Sequence, residues 1–279
     1  MTIGRRGDMF TILGASGFIG SRLASALRAA GAEVATPARG DDLTAARDLG
    51  HVIDCVGVTS DFRTRPLDAV EAHVARLLPL LRDGRFRSLL YLSSTRVYRG
   101  QGPARESDVL EVSPERADDL YNLTKLAGEA ACLAAGRETV RVVRLSNVYG
   151  AGMARDNFLA AVIGEAVGRG HIVLQTASHS TKDYVCIDDV VALLPRIAMS
   201  GRHRIYNLAA GRNVSHGEIA AMLAKLTSCR VMIAEDAPRI AYPAISIERI
   251  ASEFGFVAAT LEDRLPELVR SFHERTVAA

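Results

Sequence analysis

Short runs of Val, Ile and Leu alternate with longer segments of helical periodicity over most of the chain. The runs are almost continuously hydrophobic, which is typical of strands covered by helices on both faces of a sheet. They are MFTILG (9–14), EVAT (33–36), HVIDCVG (51–57), SLLYLSS (88–94), VRVVRLS (140–146) and RIYNLAA (204–210). Helices are predicted at about 18–30, 66–82, 117–136 and 187–200. This alternation predicts an α/β fold with a doubly wound parallel sheet.

The alternation becomes less regular in two segments, 147–182 and 211 onward. Both contain more loops and shorter helical patterns. In the second segment Ser215 and Glu218 have the spacing of a capping box, which predicts the start of a helix. We therefore expect a smaller, discontinuous lobe beside the main domain. The predicted division is a main domain of residues 1–146 plus 183–210, and a lobe of residues 147–182 plus 211–279.

Composition excludes some classes of partner. With 279 residues, 48% of them hydrophobic, the chain can bury a sizeable core. Its 34 basic and 32 acidic residues give a net charge of +2 and form no block of like charge. Such a distribution does not favour binding to a phosphate backbone or an anionic membrane. No apolar segment approaches membrane-spanning length, so neither nucleic acid nor a membrane is expected as a partner.

Cysteine and histidine spacing gives no sign of a metal site. The four cysteines lie far apart and form no CxxC pair, which argues against zinc and against a disulfide framework. We expect a reduced, cytoplasmic setting. The histidines also lack metal-ligand spacing, so no metal is predicted. The residues considered are Cys55, Cys132, Cys186, Cys229, His51, His171, His179, His203 and His216.

Three glycines lie between the first strand and the first helix. Gly14, Gly17 and Gly20 stand in LGASGFIGSRLASAL (13–27), directly after the hydrophobic run and at the start of the helical pattern. Such a turn needs a glycine at the bend, one where a diphosphate approaches the backbone, and one where the helix packs on the sheet. The free N–H groups of the helix then face the phosphates. The turn predicts dinucleotide binding.

The GxxGxxG turn, together with Tyr121 and Lys125 in YNLTK (121–125), resembles the extended short-chain dehydrogenase/reductase family. That family contains nucleotide-sugar epimerases, dehydratases and ketoreductases. The resemblance implies a Rossmann-type dinucleotide-binding domain, a substrate lobe, NAD(P) as cofactor and a nucleotide sugar as substrate. It extends over nearly the whole chain through YLSSTRVYRG (91–100), RLSNVYGAG (144–152), KDYVCIDDVV (182–191) and IYNLAAG (205–211).

The end of the second strand bears on the choice between NAD and NADP. An acidic residue there binds the ribose 2′-hydroxyl, whereas a basic residue accommodates a 2′-phosphate. The chain has Arg39 at this place and no Asp or Glu, so NADP is favoured over NAD. Asp41 leaves NAD open, because its carboxylate could still serve a ribose. Asp42 and Leu43 resemble the family's pair at the adenine.

Other cofactor contacts follow from the resemblance. It places Ser16, Phe18, Ile19, Val56, Gly57 and Val148 at the cofactor, together with the three glycines and with Tyr121 and Lys125. The chain departs from many relatives in two places nearby. IDCVGVTS ends the third strand where they carry histidine and two alanines, and His73-Val74 replaces an Asn-Val pair. These departures change the cofactor's surroundings more than its presence.

Tyr121 and Lys125 are candidate catalytic residues. At i and i+4 they lie on one face of a helix, where an ammonium near a phenol is expected to lower the phenol's pKa from about 10. In the family this tyrosine exchanges a proton with the substrate, and the lysine also holds the nicotinamide ribose. Together with the glycine turn, the pair predicts a proton-transfer site rather than a solvent-facing pattern.

SSTRVY (93–98) follows a buried strand, and the ends of such strands open into the ligand crevice. Alignment on its last two residues puts Ser94 at the family's catalytic hydroxyl position, with Ser93 structural and Thr95 lining the pocket. Sugar 4,6-dehydratases carry an Asp-Glu pair after the catalytic hydroxyl residue. Here the pair is Thr95-Arg96, which disfavours a dehydratase; both residues are expected at the substrate.

Four residues are predicted to contact the substrate from the lobe. By resemblance, Asn147 and Asn157, followed by Phe158, stand where the family meets the nucleotide-sugar diphosphate. Lys182, in Lys-Asp-Tyr, replaces the arginine that grips a phosphate in relatives. Lysine can neutralise a phosphate but cannot hold it through two parallel hydrogen bonds.

These features predict an enzyme that moves a hydride between NADP(H) and a carbinol carbon of a nucleotide sugar. Reduction of a 4-ketosugar and 4-epimerisation share that chemistry, and Arg39 tilts the prediction toward reduction. The alternative is a non-catalytic dinucleotide-binding sensor or assembly protein, which both Tyr121 and Lys125 argue against. The family's helices at 66–82 and after Lys125 often pair across a two-fold axis, so a homodimer is expected.

Overall fold

The computed structural model describes residues 7–58, 62–99, 102, 104–116, 118–155 and 157–277. The strands are β1 (Met9–Leu13), β2 (Glu33–Ala35), β3 (His51–Asp54), β4 (Ser88–Ser94), β5 (Val140–Leu145), β6 (Asn147–Tyr149), β7 (His171–Leu174), β8 (Thr181–Cys186), β9 (Ile205–Leu208), β10 (Asn213–Ser215) and β11 (Arg230–Ile233). The helices are α1 (Phe18–Ala29), α2 (Pro66–Val70), α3 (Leu77–Asp83), α4 (Asp119–Ala134), α5 (Phe158–Arg169), α6 (Ile187–Ser200), α7 (His216–Thr227), α8 (Glu248–Phe254) and α9 (Leu261–Val277).

The six strands predicted from hydrophobic runs form one parallel sheet in the order β2-β1-β3-β4-β5-β9. The predicted doubly wound α/β fold is therefore confirmed. The chain leaves β2 on one side of β1 and returns as β3 on the other, so the strand order reverses beside β1. Ligands of such sheets bind at this point, outside the carboxyl ends of the strands.

Helices cover both faces of the sheet. On one face, Leu23 and Leu27 of α1 and Leu194 and Ile197 of α6 are fully buried with Phe10 of β1. Burying each such side chain contributes about 1.5–3 kcal/mol of hydrophobic free energy. The opposite face is closed by α3 and α4, through a cluster that includes Leu77, Leu80, Tyr91, Cys132 and Val142.

A separate hydrophobic cluster joins α5, α7 and α9 to β7 and β8. Its strands belong to two small sheets, ordered β10-β8-β6 and β11-β7. Phe18 packs against both this cluster and the main core. The capping box is present, since Ser215 and Glu218 each accept a backbone N–H from the other. The expectation of only short helices is wrong for α9, which runs for 17 residues.

The predicted helix 66–82 is interrupted by a π-helical turn at Glu71–Ala75, between α2 and α3. Its carbonyl at His73 accepts a 3.2 Å hydrogen bond from the Tyr91 hydroxyl of β4. The interruption lies where α4 passes closely, because a Cβ on Gly128 would come within 2.6 Å of that carbonyl. Periodicity alone predicts one continuous helix. The position of the wider π-helical turn is seen only in the packing against α4.

A buried ion pair ties α4 to the sheet. Arg144 of β5 and Glu129 of α4 are 4% and 3% exposed. The Arg144 guanidinium donates to both Glu129 oxygens, at 3.0 Å from Nε and 2.7 Å from Nη2. Ser93 donates to the same carboxylate at 2.5 Å, and Arg144 Nη1 donates to Tyr98 Oη, which donates to Asn207 Oδ1. Every charge in this network therefore has a partner.

The described residues contain no group of His, Cys, Asp or Glu able to hold a metal ion. All four cysteines are free thiols. None of the helices within the described ranges is long and apolar enough to cross a membrane.

Replacing Glu129 by Ala is expected to destabilise the fold by about 3–5 kcal/mol, because it leaves the Arg144 charge buried and unpaired. Urea unfolding measures the change. Glu138→Ala is the matched control, since Glu138 is exposed and should change stability by less than about 0.5 kcal/mol. Equal stability of the two variants would show that Arg144 finds other partners.

Candidate active site

The glycine turn is shaped for close backbone contacts. Gly14 has φ +73°, and a Cβ there would lie 3.0 Å from Val56 Cγ2. A Cβ on Gly20 would lie 2.3 Å from the Gly14 carbonyl oxygen, so α1 can pack on the turn only with glycine there. Gly17 precedes α1 without a side-chain cap, and the first turn holds no acidic residue. The first N–H groups of α1 therefore keep the anion-binding character of a helix N-terminus.

A cavity of about 430 Å³ lies at the ends of β2 and β3. Arg39, Asp42, Leu43 and Val56, all predicted at the cofactor, line it together. The carboxylates here hold their own loop: Asp41 accepts a 2.8 Å bond from the Ala38 N–H, and Asp42 accepts bonds from the backbone and hydroxyl of Thr44. Sequence reasoning missed two further arginines that line the cavity, Arg65 and Arg76.

Tyr121, Lys125 and Glu129 occur at intervals of four residues along α4, so they share the face turned to the sheet. Tyr121 is 6% and Lys125 is 4% exposed. Lys125 Nζ donates a 2.8 Å bond to the Leu92 carbonyl of β4, and a Cβ on Gly57 would lie 3.5 Å from Nζ. The Glu129 ion pair lies on the same face, two turns after Tyr121 and one turn after Lys125. It fixes the height of Tyr121 and Lys125 above the strand ends.

Ser94 ends β4 and lies close enough to Tyr121 to influence the pKa of its phenol. The Ser94 side chain also accepts the Arg96 backbone N–H at 3.2 Å, which caps the 3₁₀ turn Thr95–Tyr98. Thr95 is buried in that turn. The structure thus brings Ser94 and the Tyr121 phenol together beside Lys125, as the sequence predicted for a catalytic group.

The expectation that Lys125 lowers the pKa of Tyr121 is wrong for this structure. Burial raises the pKa of the phenol, and the groups that oppose burial are the Ser94 hydrogen bond and the Arg96 charge. The Lys125 ammonium instead points to the Leu92 carbonyl. Burial also lowers the pKa of Lys125 to about 8. Tyr121 is therefore a protonated phenol at neutral pH, ready to donate.

His73 connects the β3 loop to α4. The Val58 N–H donates to His73 Nε2 at 3.2 Å, so Nδ1 carries the proton and donates to Thr124 Oγ1 at 2.9 Å. The Thr124 hydroxyl donates in turn to the Tyr121 carbonyl. Burial, with the charge of Lys125, lowers the pKa of His73 to about 3, so the ring is neutral. The sequence marked His73 as a departure; its role in holding α4 is seen only in the structure.

Arg96 lies over two aromatic rings next to the candidate catalytic residues. Its Cζ is 4.9 Å from the ring centre of Phe62 and 5.5 Å from that of Tyr121. Phe62 is fully buried against Tyr121, and no sequence signal singled it out. The predicted substrate residue Arg96 thus lies within contact range of the phenol.

The lobe contributes Lys182 and Phe158, which meet above α7. Lys182 Nζ is 5.5 Å from the Phe158 ring centre, and Phe158 stacks on His216 at 3.9 Å. His216 is fully buried and its Nδ1 bonds Thr176 Oγ1. Burial, followed by the Lys182 charge, lowers the pKa of His216 to about 4, so the ring is neutral. No sequence signal indicated that His216 lies beside Phe158 and Lys182, the predicted substrate residues.

The two predicted asparagines have structural contacts. Asn147 Nδ2 donates to the Asp183 carbonyl at 2.8 Å and links β6 to β8. Asn157 Oδ1 accepts the Leu159 N–H at 2.9 Å and caps α5. The other polar atom of each amide has no hydrogen bond to another described residue. Val148, predicted at the cofactor, lies between them in the chain on β6 and packs against the main core.

Lys125→Met is expected to stabilise the ligand-free protein by roughly 1–3 kcal/mol at neutral pH. The pKa of Lys125 is lower in the folded than in the unfolded chain, so the cost of burying its charge is present in full below pH 8. Between pH 8 and about pH 10.4, Lys125 is protonated in the unfolded chain but largely deprotonated in the folded one. The stability of the wild type therefore rises with pH across this window. The advantage of the variant should shrink there.

Urea unfolding at several pH values measures this difference. Lys225→Met is the matched control, because Lys225 is exposed on α7 and should give no gain that depends on pH. A variant at position 125 less stable than wild type would mean that the Leu92 hydrogen bond outweighs the cost of burial.

The chain is similar to known proteins in sequence and in fold. The chain is 23% identical to a dTDP-4-dehydro-6-deoxy-D-allose reductase of Streptomyces bikiniensis. The alignment has 318 positions and covers 97% of this chain and 98% of the relative. The structure of MoeE5 in complex with UDP-glucose and NAD is similar with a TM-score of 0.77 and 23% identity, over 96% of this chain and 99% of that one. The structure of RMD from Pseudomonas aeruginosa complexed with NADPH is similar with a TM-score of 0.78 and 21% identity, over 96% of this chain and 100% of that one.

The sequence profile of the NAD dependent epimerase/dehydratase family matches residues 10–209, from β1 through β9. This stretch contains the glycine turn, Ser94, Tyr121, Lys125 and Lys182. The chain therefore belongs to the NAD dependent epimerase/dehydratase family.

Proposed function

We propose that the protein is an NADP-dependent reductase of a nucleotide-linked 4-ketosugar. One observation carries the proposal: the buried phenol of Tyr121 lies beside Ser94 and Lys125 at the end of the parallel strands, and burial raises the pKa of that phenol. Reduction of a ketone needs a proton donor at the carbonyl oxygen, and a phenol with a raised pKa is in the donor state at neutral pH.

The residues present fit a dinucleotide. The uncapped N-terminus of α1 suits a diphosphate, and no side chain can stand at Gly14 or Gly20 without a clash. The 430 Å³ cavity beyond them is large enough for an adenosine. When bound, the nicotinamide supplies the hydride. Lys125 and Gly57 lie where the cofactor's second ribose would be held.

The chain's own groups then handle the oxygen and the proton. Ser94 donates a hydrogen bond to the carbonyl oxygen and stabilises the negative charge that develops on it. Tyr121 transfers its proton to that oxygen, and the charge of Arg96 eases the loss of the proton. Neutral His73 holds α4 through Thr124, which keeps Tyr121 at a fixed distance from the β3 loop.

Relatives favour reduction over epimerisation. The curated proteins that match are dTDP-4-dehydro-6-deoxy-D-allose reductases, and one similar structure contains NADPH. The same catalytic group serves a 4-epimerase, and UDP-glucuronic acid 4-epimerase from Bacillus cereus has a similar fold. Arg39 supports the reductase, because a base at the end of β2 suits the NADP 2′-phosphate. An epimerase would retain NAD through purification.

Arg39→Ala is expected to weaken NADPH binding about tenfold and to leave NADH binding within twofold, because one charged hydrogen bond to the 2′-phosphate is lost. Fluorescence titration of the purified protein measures both. Arg47→Ala serves as the control, since Arg47 is exposed nearby but does not line the cavity. Wild-type protein that prefers NADH, or carries tightly bound NAD, would favour the epimerase.

Tyr121→Phe is expected to lower kcat/KM about 10²- to 10⁴-fold while leaving NADPH affinity within twofold, because only the proton donor is removed. The assay follows NADPH consumption with dTDP- and UDP-linked 4-ketohexoses, both with and without a carboxylate on the sugar. Tyr184→Phe is the matched control: the Tyr184 hydroxyl is buried and has no partner in the described part of the chain. Unchanged turnover in Tyr121→Phe contradicts the proton-transfer role, and wild-type protein without turnover favours a sensor.

A further inference from the structure

Among the described residues, three arginines lie near one carboxylate close to Tyr121. Arg63 Nη2 approaches Asp118 at 2.6 Å, and Arg99 Nη1 approaches it at 2.8 Å. Arg96 lies farther away and forms no ion pair with Asp118. Asp118 is therefore paired with the other two arginines and not with Arg96.

Arg96 is held in place without an ion-pair partner among the residues that the structure describes. Its guanidinium is fixed over the rings of Phe62 and Tyr121, and its backbone N–H is bonded to Ser94. The Nε atom is buried and has no hydrogen-bond partner among the residues that the structure describes. A buried donor without an acceptor costs about 1–3 kcal/mol, more when charged, so a ligand that accepts this bond recovers that cost.

Lys182 is a further cation near the site without a carboxylate partner among the described residues. It lies in the lobe, over Phe158. Burial, and after it the charge of Arg96, lowers the pKa of Lys182. A nucleotide sugar carries its diphosphate at one end and its sugar at the other. Lys182 suits the diphosphate, which leaves Arg96, the cation beside the reacting oxygen, facing the sugar.

The chemistry of the guanidinium favours a carboxylate over a neutral group. A hydroxyl could satisfy Nε–H but would leave the charge uncompensated in a partly buried site. A carboxylate accepts two parallel N–H bonds and neutralises the charge at once. In a hexuronic acid the carboxylate is attached to the ring carbon next to C4, the carbon where the proposed reaction takes place. An arginine in contact range of Tyr121 is therefore at the correct distance along the sugar.

We infer that Arg96 binds a carboxylate on the sugar ring, so that the substrate class is a nucleotide-linked uronic acid rather than a neutral hexose. This inference rests on the proposed function. It assigns a specificity role to Arg96 and no part in the transfer of hydride.

The test compares sugars that differ only in the carboxylate. UDP-glucuronic acid and UDP-glucose, and the same pair linked to dTDP, are titrated calorimetrically into protein saturated with NADPH, in which neither alcohol can be oxidised. Wild-type protein should bind the uronic acid at least about tenfold more tightly, the worth of one charged hydrogen-bond pair. Arg96→Met should bind both sugars alike, and Arg96→Lys should keep part of the preference. UDP alone should bind wild type and Arg96→Met equally.

Arg63→Met is the matched control, because Arg63 also lies over Phe62 and is 54% exposed. It should retain the preference for the uronic acid. NADPH affinity within twofold of wild type shows that each variant is folded.

Three results overturn the inference while leaving the proposed function standing. They are equal binding of the two sugars to wild type, a preference that survives in Arg96→Met, and a loss of UDP affinity in Arg96→Met, which would make Arg96 a diphosphate contact. Protein that binds NADPH but none of the four nucleotide sugars contradicts the proposed function itself, and the inference falls with it.

Discussion

The buried ion pair between Arg144 and Glu129 determines where the candidate catalytic group lies. It joins the middle of α4 to β5, and Ser93 attaches the same carboxylate to β4. Lys125 lies one turn and Tyr121 two turns before Glu129 on the same face, so their height above the sheet follows from this anchor. An ion pair in a core is tolerated only when all its polar atoms have partners, and here Tyr98 and Asn207 complete the set.

The site itself has the opposite character, since its charges are left without partners. Lys125, Lys182 and Arg96 are buried or half-buried cations, and none has a carboxylate within ion-pair distance in the described structure. Burial lowers the pKa of both lysines. Such an arrangement costs stability in the ligand-free protein and is offset when an anionic ligand enters. The core stabilises the fold because its charges are paired, whereas the unpaired cations of the candidate site favour the binding of an anion.

The crevice forms because the chain changes direction at β1. β2 and β3 lie on opposite sides of β1, and the connection between them supplies the loop of Arg39 to Thr44. That loop is held by its own carboxylates rather than by a helix, since Asp41 and Asp42 bond to neighbouring residues. The 430 Å³ cavity is lined by Arg39 from this short, polar loop and by Arg65 and Arg76 from the chain that follows β3.

The sequence by itself determined the sheet, because near-continuous hydrophobic runs such as SLLYLSS can be buried on both faces only as central strands. It also determined the glycine turn and the shared face of Tyr121 and Lys125, since both are local consequences of backbone geometry. Only the tertiary structure decided the surroundings of these residues: His73 against Thr124, Phe62 under Arg96, and His216 behind Phe158. Sequence spacing also predicted that Lys125 would lower the pKa of Tyr121. Burial, which depends on residues far apart in the chain, raised it instead.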